Sequence, residues 1–138
     1  YFTEAINGEE GAQRSDYNDV GEDDNATVTG VSGSEGGIGY FGYSYYKENE
    51  GTVKALQIDN GKGCVAPSVE TAQNGTYAPL SRPLYVYPSG SALKEETVDS
   101  FLKFYLDNVN SVAEQTGFIP MTDKQLSDSK ANLDKLIG

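Results

Sequence analysis

Val98, Phe101, Leu102, Tyr105 and Leu106 recur at the spacing that places them on one face of an α-helix, and the pattern predicts a helix from Glu95 to about Val112. A helix with one apolar face must cover something. The chain offers it short runs of strand composition: Ile38–Ser44, where aromatics alternate with Gly and Ser before a short helical segment at Tyr45-Tyr46-Lys47; Val53–Ile58; and Leu84–Tyr87, bracketed by Pro83 and Pro88. Helices alternating with such strands predict an α/β fold in three layers, with the long helix over a sheet. An all-helical or all-β structure would refute it.

The other expected helices are short and marked by their ends. Tyr1–Ile6 reads as the tail of a helix closed by Asn7-Gly8, so the chain is expected to begin inside an element. After a polar loop from Glu9 to Gly21, Asp23-Asp24-Asn25 caps a helix running through Val31, and Ser32–Gly37 ends it. Ser68 caps a helix over Val69–Gln73 that Asn74-Gly75 stops. Phe118-Ile119-Pro120 reads as a brief extended piece. Thr122 with Gln125 forms a capping box for a last helix, with Leu126, Leu133, Leu136 and Ile137 on one stripe and its end at Gly138. With 138 residues, one domain is the prior. The composition still breaks near Glu50-Gly51: residues 1–50 hold 11 acids against 2 bases, and residues 51–138 hold 10 against 8.

Composition removes several function classes. A net charge of −11 with a pI near 4.2 sets nucleic acid aside as a partner, since phosphate backbones require a basic face. There is no His, which takes away the imidazole base, zinc ligand and triad member on which most familiar catalytic sites depend. Cys64 is alone, so it closes no intrachain disulfide and builds no Cys-x-x-Cys site. No apolar run approaches a membrane span, and the Tyr1-Phe2-Thr3-Glu4 start lacks a Met and the features of a signal peptide. The mean hydropathy of −0.51 is polar for a globular chain, but ten Tyr and five Phe supply the apolar area a disordered chain lacks.

Several motifs match a pattern without its context. Gly37-x-Gly39-x-x-Gly42 has the dinucleotide spacing but lies inside the aromatic run rather than between strand and helix, so close backbone packing explains it better. Asp16-x-Asn18 opens like a calcium loop, then fails at Val20 and Thr27. Ser-x-x-Lys occurs at Ser44/Lys47, Ser91/Lys94 and Ser127/Lys130 without the companion motifs of a serine hydrolase. Asn25-Ala26-Thr27 and Asn74-Gly75-Thr76 are sequons that read as cap and turn chemistry. Arg14 and Arg82 are the only arginines; either has the fork to grip an anion, but Arg82, where a loop enters an expected buried strand, is expected to be a structural hydrogen-bonding residue. Tyr40, Tyr43, Tyr45 and Tyr46 lie too close in sequence to form one stacking face on a strand.

The order of motifs resembles one family, the periplasmic or lipid-anchored phosphate-binding proteins of ABC-type phosphate transporters. The stretches that carry it are Tyr1–Ile6, Glu22–Asn25, Gly39–Tyr46, Cys64–Ser68 with Glu70-Thr71, Gly75–Tyr77, Pro79–Tyr87 and Gly117–Pro120. The resemblance implies the C-terminal half of a two-lobed periplasmic-binding-protein fold, with helices packed on incomplete mixed sheets. It implies that residues 1–46 are the remainder of lobe two, including the crossover strand, and residues 47–138 the C-terminal segment of lobe one. It also implies a non-enzymatic receptor, periplasmic or extracellular, whose partners are inorganic phosphate, an ABC permease in the membrane and the N-terminal half of the same protein. No cofactor and no metal is implied. No residue of this chain matches a phosphate contact of the family, whose ligands the resemblance puts upstream of Tyr1. Because both lobes are then incomplete, the isolated chain is expected neither to hold its native fold alone nor to bind phosphate. An acidic protein that binds phosphate must use short-range donors in a desolvated cleft rather than long-range attraction. An extracellular acidic, Tyr-rich adhesion or scaffold module and a phosphatase-like enzyme are the rival readings.

Overall fold

The computed structural model describes residues 1–137, so the expected helix end at Gly138 lies outside the described residues. The chain is a mixed α/β structure that divides into two compact units, one from Tyr1 to Arg82 and one from Pro83 onward.

The first unit holds α1 (Phe2–Asn7), α2 (Asp24–Ser32), α3 (Tyr43–Glu48), β1 (Ile58–Asp59), β2 (Cys64–Val65) and α4 (Val69–Gln73). Their ends follow the local signals. Gly8 closes α1 in the left-handed region at φ 79°, where a side chain would be strained. The Asp23 carboxylate accepts from the Ala26 amide at the start of α2. Ser68 and Thr71 exchange side-chain and backbone hydrogen bonds in a full capping box at α4. Val28 and Val53 are the buried apolar residues here. Gly39 lies against α2 so closely that a Cβ on it would stand 2.8 Å from Val31 Cγ2 and 2.9 Å from Thr27 Cγ2, which bears out the packing role expected of the glycine run.

The second unit holds a 3₁₀ turn at Ala92–Lys94, α5 (Glu96–Gln115) and α6 (Asp123–Ile137). Leu93 from the turn, Leu102 from α5 and Leu133 from α6 form its buried centre, with Val98, Leu106 and Ile137 packed against it. Thr122 and Gln125 cap α6 as expected: the Thr122 amide donates to Gln125 Oε1 at 2.8 Å, and the Gln125 amide to Thr122 Oγ1 at 3.3 Å. The Asn110 amide group clamps the loop before α6, donating to the Met121 carbonyl at 2.8 Å and accepting from the Met121 amide at 2.9 Å.

The strands differ from expectation. Among the described residues one ladder forms, antiparallel, pairing Ile58 with Val65 and Asp59 with Cys64. Of Val53–Ile58 only Ile58 is paired, Ile38–Phe41 is unpaired, and Tyr43 and Ser44 belong to α3, whose helix thus starts two residues before the expected Tyr45. Leu84–Tyr87 is unpaired as well. A strand exists only through hydrogen bonds to a neighbour, and these runs of strand composition have no neighbour of that kind among the described residues. Three members of the expected helix stripes also face outward, Phe101 at 62% exposure, Tyr105 at 37% and Leu136 at 65%, because the stripes are wider than the small centre that α5, α6 and the 3₁₀ turn share.

Candidate functional site

In the first unit, residues far apart in sequence meet at the start of α1. The Arg82 guanidinium lies over the Tyr1 ring, 4.8 Å from its centroid, and the Tyr1 hydroxyl donates to the Pro79 carbonyl. On the neighbouring position, Phe2 stacks on Tyr40 with centroids 4.0 Å apart and planes 7° from parallel. Tyr40 in turn shares a hydroxyl hydrogen bond of 3.4 Å with Tyr17, which raises the Tyr17 pKa above its ordinary value. Thr3, on the buried face of α1, accepts from the Gly11 amide at 2.9 Å and so anchors the polar loop. The first turn of α1 is thus held by the Pro79–Arg82 segment through Tyr1, and by the Tyr40 segment through Phe2.

Arg82 departs from its expected role. Its guanidinium makes no hydrogen bond to a described residue; it is exposed, and its five N–H donors surround a charge held by an aromatic face. Arg14, by contrast, is spent on Asp16 in a bidentate pair of 2.7 and 2.8 Å that holds the carboxyl below and the guanidinium above their ordinary values. No local pattern signals the Arg82–Tyr1 pair, since its members stand at opposite ends of the unit.

The remaining motifs settle into structure. Lys47 pairs with Glu50 at 2.7 Å and Lys130 with Asp107 at 2.6 Å, so neither serves the serine that precedes it in the Ser-x-x-Lys pattern. Asn74 Oδ1 accepts from both the amide and the hydroxyl of Thr76, the turn chemistry expected of that sequon. Tyr43 and Tyr46 sit on α3 with centroids 6.0 Å apart, one helical turn rather than a flat platform. Asp59 accepts from the Gly61 and Gly63 amides at 2.7 and 2.9 Å, and these bonds hold its carboxyl below the usual range. Among the described residues no three of His, Cys, Asp and Glu are placed to share a metal ion. In the second unit, Lys103, Leu106, Asp107, Lys130, Leu133 and Asp134 line an open cleft of about 200 Å³. Its two lysines are neutralised by Asp99 and Asp107, which leaves it no surplus of positive charge for an anion. No helix among the described residues is long and apolar enough to cross a membrane.

Comparison with known proteins supplies what the geometry does not. The family model of the PBP superfamily domain matches residues 1–109. The protein SphX of Synechococcus elongatus is 48% identical over 125 residues, covering 90% of this chain and 36% of that protein. SphX of Synechocystis sp. is 39% identical over 98% of this chain and 40% of its own length. The phosphate-binding protein PstS of Staphylococcus epidermidis is 43% identical over 82% of this chain and 36% of its own. Among solved structures, a possible phosphate binding protein from Planctomyces limnophilus superposes with a TM-score of 0.82 at 38% identity, covering 99% of this chain and 49% of that one. The chain therefore spans between about a third and two-fifths of the curated relatives it matches.

Proposed function

This chain belongs to the PBP superfamily, and from that premise we propose that it is part of a receptor that captures inorganic phosphate and delivers it to an ABC-type permease by hinge closure of two lobes, without catalysis. The observation that carries the reading is the 43% identity, over 82% of this chain, with a relative named as phosphate-binding. The receptor works periplasmically or extracellularly, free or held by a lipid anchor. Residues 1–46 contribute to one lobe and residues 47–138 to the other.

Within this reading the groups that hold phosphate lie outside residues 1–138. The ion-pair pattern supports that placement: Arg14, Lys47, Lys103, Lys124 and Lys130 are each matched to a carboxylate. The chain's contribution is scaffold and hinge, and its partners are the rest of the receptor, the anion and the permease. A chain without His, in which Lys47 and Lys130 pair with carboxylates rather than with the serines that precede them, supports the non-enzymatic role.

Phosphate titration by calorimetry, together with an assay for phosphoester hydrolysis, tests the proposal on a full-length receptor that carries this sequence. Saturable heat without turnover is the expected result. Turnover moves the protein to the phosphatase reading, and neither signal moves it to the adhesion or scaffold reading. The 138-residue chain alone is expected to give no saturable phosphate heat.

A further inference from the structure

Three Asn-Gly pairs occur in the chain, Asn7-Gly8, Asn60-Gly61 and Asn74-Gly75, and all three asparagines are exposed. Asn before Gly is the pair in which a main-chain amide most readily attacks the preceding side chain, because glycine has no Cβ to crowd the five-membered ring that forms. Sequence and exposure are thus alike at the three places, and the fold distinguishes them by how it holds each carboxamide. Asn7 ends α1, and its Nδ2 donates to the Ala12 carbonyl at 2.5 Å. Asn74 keeps helical backbone at the end of α4, φ −86° and ψ −2°, and its Oδ1 accepts from the Thr76 amide at 2.9 Å and the Thr76 hydroxyl at 2.6 Å. Ring closure at either position has to break those bonds and swing the main chain out of a helical turn.

Asn60 lies in the loop between β1 and β2, outside any helix, and its carboxamide bonds to no described residue. The attacking amide is hydrogen-bonded in all three pairs: Gly8 to the Glu4 carbonyl at 3.0 Å, Gly75 to the Ala72 carbonyl at 3.2 Å, and Gly61 to Asp59 Oδ1 at 2.7 Å. At Gly61 alone the acceptor is an exposed side chain, which swings away without opening a helical turn. Gly61 also stands in open space, with nothing within 4 Å of where a Cβ would be.

We propose that Asn60 is a self-modification site, converted to aspartate and isoaspartate with water as the co-reactant. The Gly61 nitrogen forms a bond to Asn60 Cγ, the Cγ–Nδ2 bond breaks, and the proton from Gly61 leaves with that nitrogen as ammonia. Water then opens the cyclic imide. Breaking the bond from Gly61 N to Cγ gives aspartate, and breaking the bond from Gly61 N to the Asn60 carbonyl carbon gives isoaspartate; nothing is oxidised or reduced. Either product sets a second carboxylate beside Asp59. Isoaspartate also adds a main-chain methylene to the loop that joins Asp59 to Cys64, so the Gly61 and Gly63 amides no longer meet Asp59 in the same register.

The test holds a full-length receptor that carries this sequence at mildly alkaline pH, folded and in urea, and follows the three Asn-Gly peptides by mass spectrometry, with an isoaspartyl carboxyl methyltransferase as the probe for isoaspartate. In the folded protein the Asn60 peptide is expected to gain about 1 Da roughly tenfold faster than the Asn7 and Asn74 peptides. In urea the three rates should come within about twofold of one another, since the restraints that separate them are gone. Asn60→Gln, which keeps an exposed carboxamide but would have to close a larger ring, should remove most of the methyl acceptance of the folded protein. Gain first at Asn7 or Asn74, equal rates in the folded protein, a ranking unchanged in urea, or methyl acceptance untouched by Asn60→Gln would each overturn the proposal.

Discussion

Gly39→Ala decides between the two meanings of the glycine run. If the glycine serves packing, the added methyl meets Val31 Cγ2 at 2.8 Å and Thr27 Cγ2 at 2.9 Å, where ordinary carbon contacts begin near ~3.5 Å. Both partners are β-branched side chains on α2, stiff at χ1, so they yield only by moving the helix. Overpacking of this kind costs about 1–3 kcal/mol. Gly39 does not adopt a positive φ, so no backbone strain adds to the figure. The paired control is Gly30→Ala, inside α2, where a Cβ meets nothing within 4 Å. Removing a helical glycine there stabilises by about 0.5–1 kcal/mol. The two alanines should therefore differ by roughly 1.5–4 kcal/mol, with opposite signs, the sum of those two effects. Each kcal/mol moves the melting temperature of a unit this size by roughly 4–8 °C. Urea and thermal unfolding followed by circular dichroism measure this in a full-length receptor that carries this sequence, and loss of residual helix in the chain alone gives a second reading, because the clash is internal to the first unit. A Gly39→Ala protein as stable as its parent but defective in phosphate binding would refute the packing argument and return the run to a ligand-approach role.

Leu102→Ala should cost about 2–5 kcal/mol, since Leu102 is one of three leucines at the buried centre of the second unit, whereas Leu136→Ala on the exposed side of α6 should stay within about 0.5 kcal/mol; urea titration of both checks the contrast. Ser68→Ala removes the acceptor of the Thr71 amide and should lower stability by ~1 kcal/mol, with Ser68→Asp restoring most of it, since Asp is as good a cap. Asp59 has a folded pKa held below its unfolded value, so its contribution to the β1–β2 hairpin is complete above the unfolded value near ~4 and is lost as pH falls through the lower folded value. Amide NMR should show Gly61 and Gly63 titrating together with a midpoint below the ordinary Asp range. Midpoints at or above that range would contradict the two hydrogen bonds, and Asp59→Ala should abolish the titration.

The helices were legible because their determinants are local. Asp23 meets the Ala26 amide, Ser68 meets Thr71 and Thr122 meets Gln125, all within three residues, and each boundary could be read from the side chain that makes the bond. The strands were not legible in the same way, since Ile38–Ser44, Val53–Ile58 and Leu84–Tyr87 carry strand composition but composition states only that a run suits a ladder. The Ile58–Asp59 and Cys64–Val65 ladder forms because its partners sit within a few residues of each other, with Gly61 and Gly63 at positive φ turning the chain and Asp59 holding their amides. The clasp around α1 lies furthest from sequence reasoning. Arg82 was expected to donate hydrogen bonds inside a strand entry, and instead its charge rests on the Tyr1 ring while the Tyr1 hydroxyl reaches Pro79. Those contacts join positions some eighty apart, and no periodicity or cap marks them. What the sequence did hold was the order of motifs from Tyr1 to Pro120, and the family model matches residues 1–109 of that span. Ligand chemistry does not come with it, because a motif order identifies the scaffold, whereas binding an anion requires several donors converging within hydrogen-bond reach of one point. Of the chain's two arginines one is already paired, and the other, its guanidinium over the Tyr1 ring, makes no hydrogen bond to a described residue.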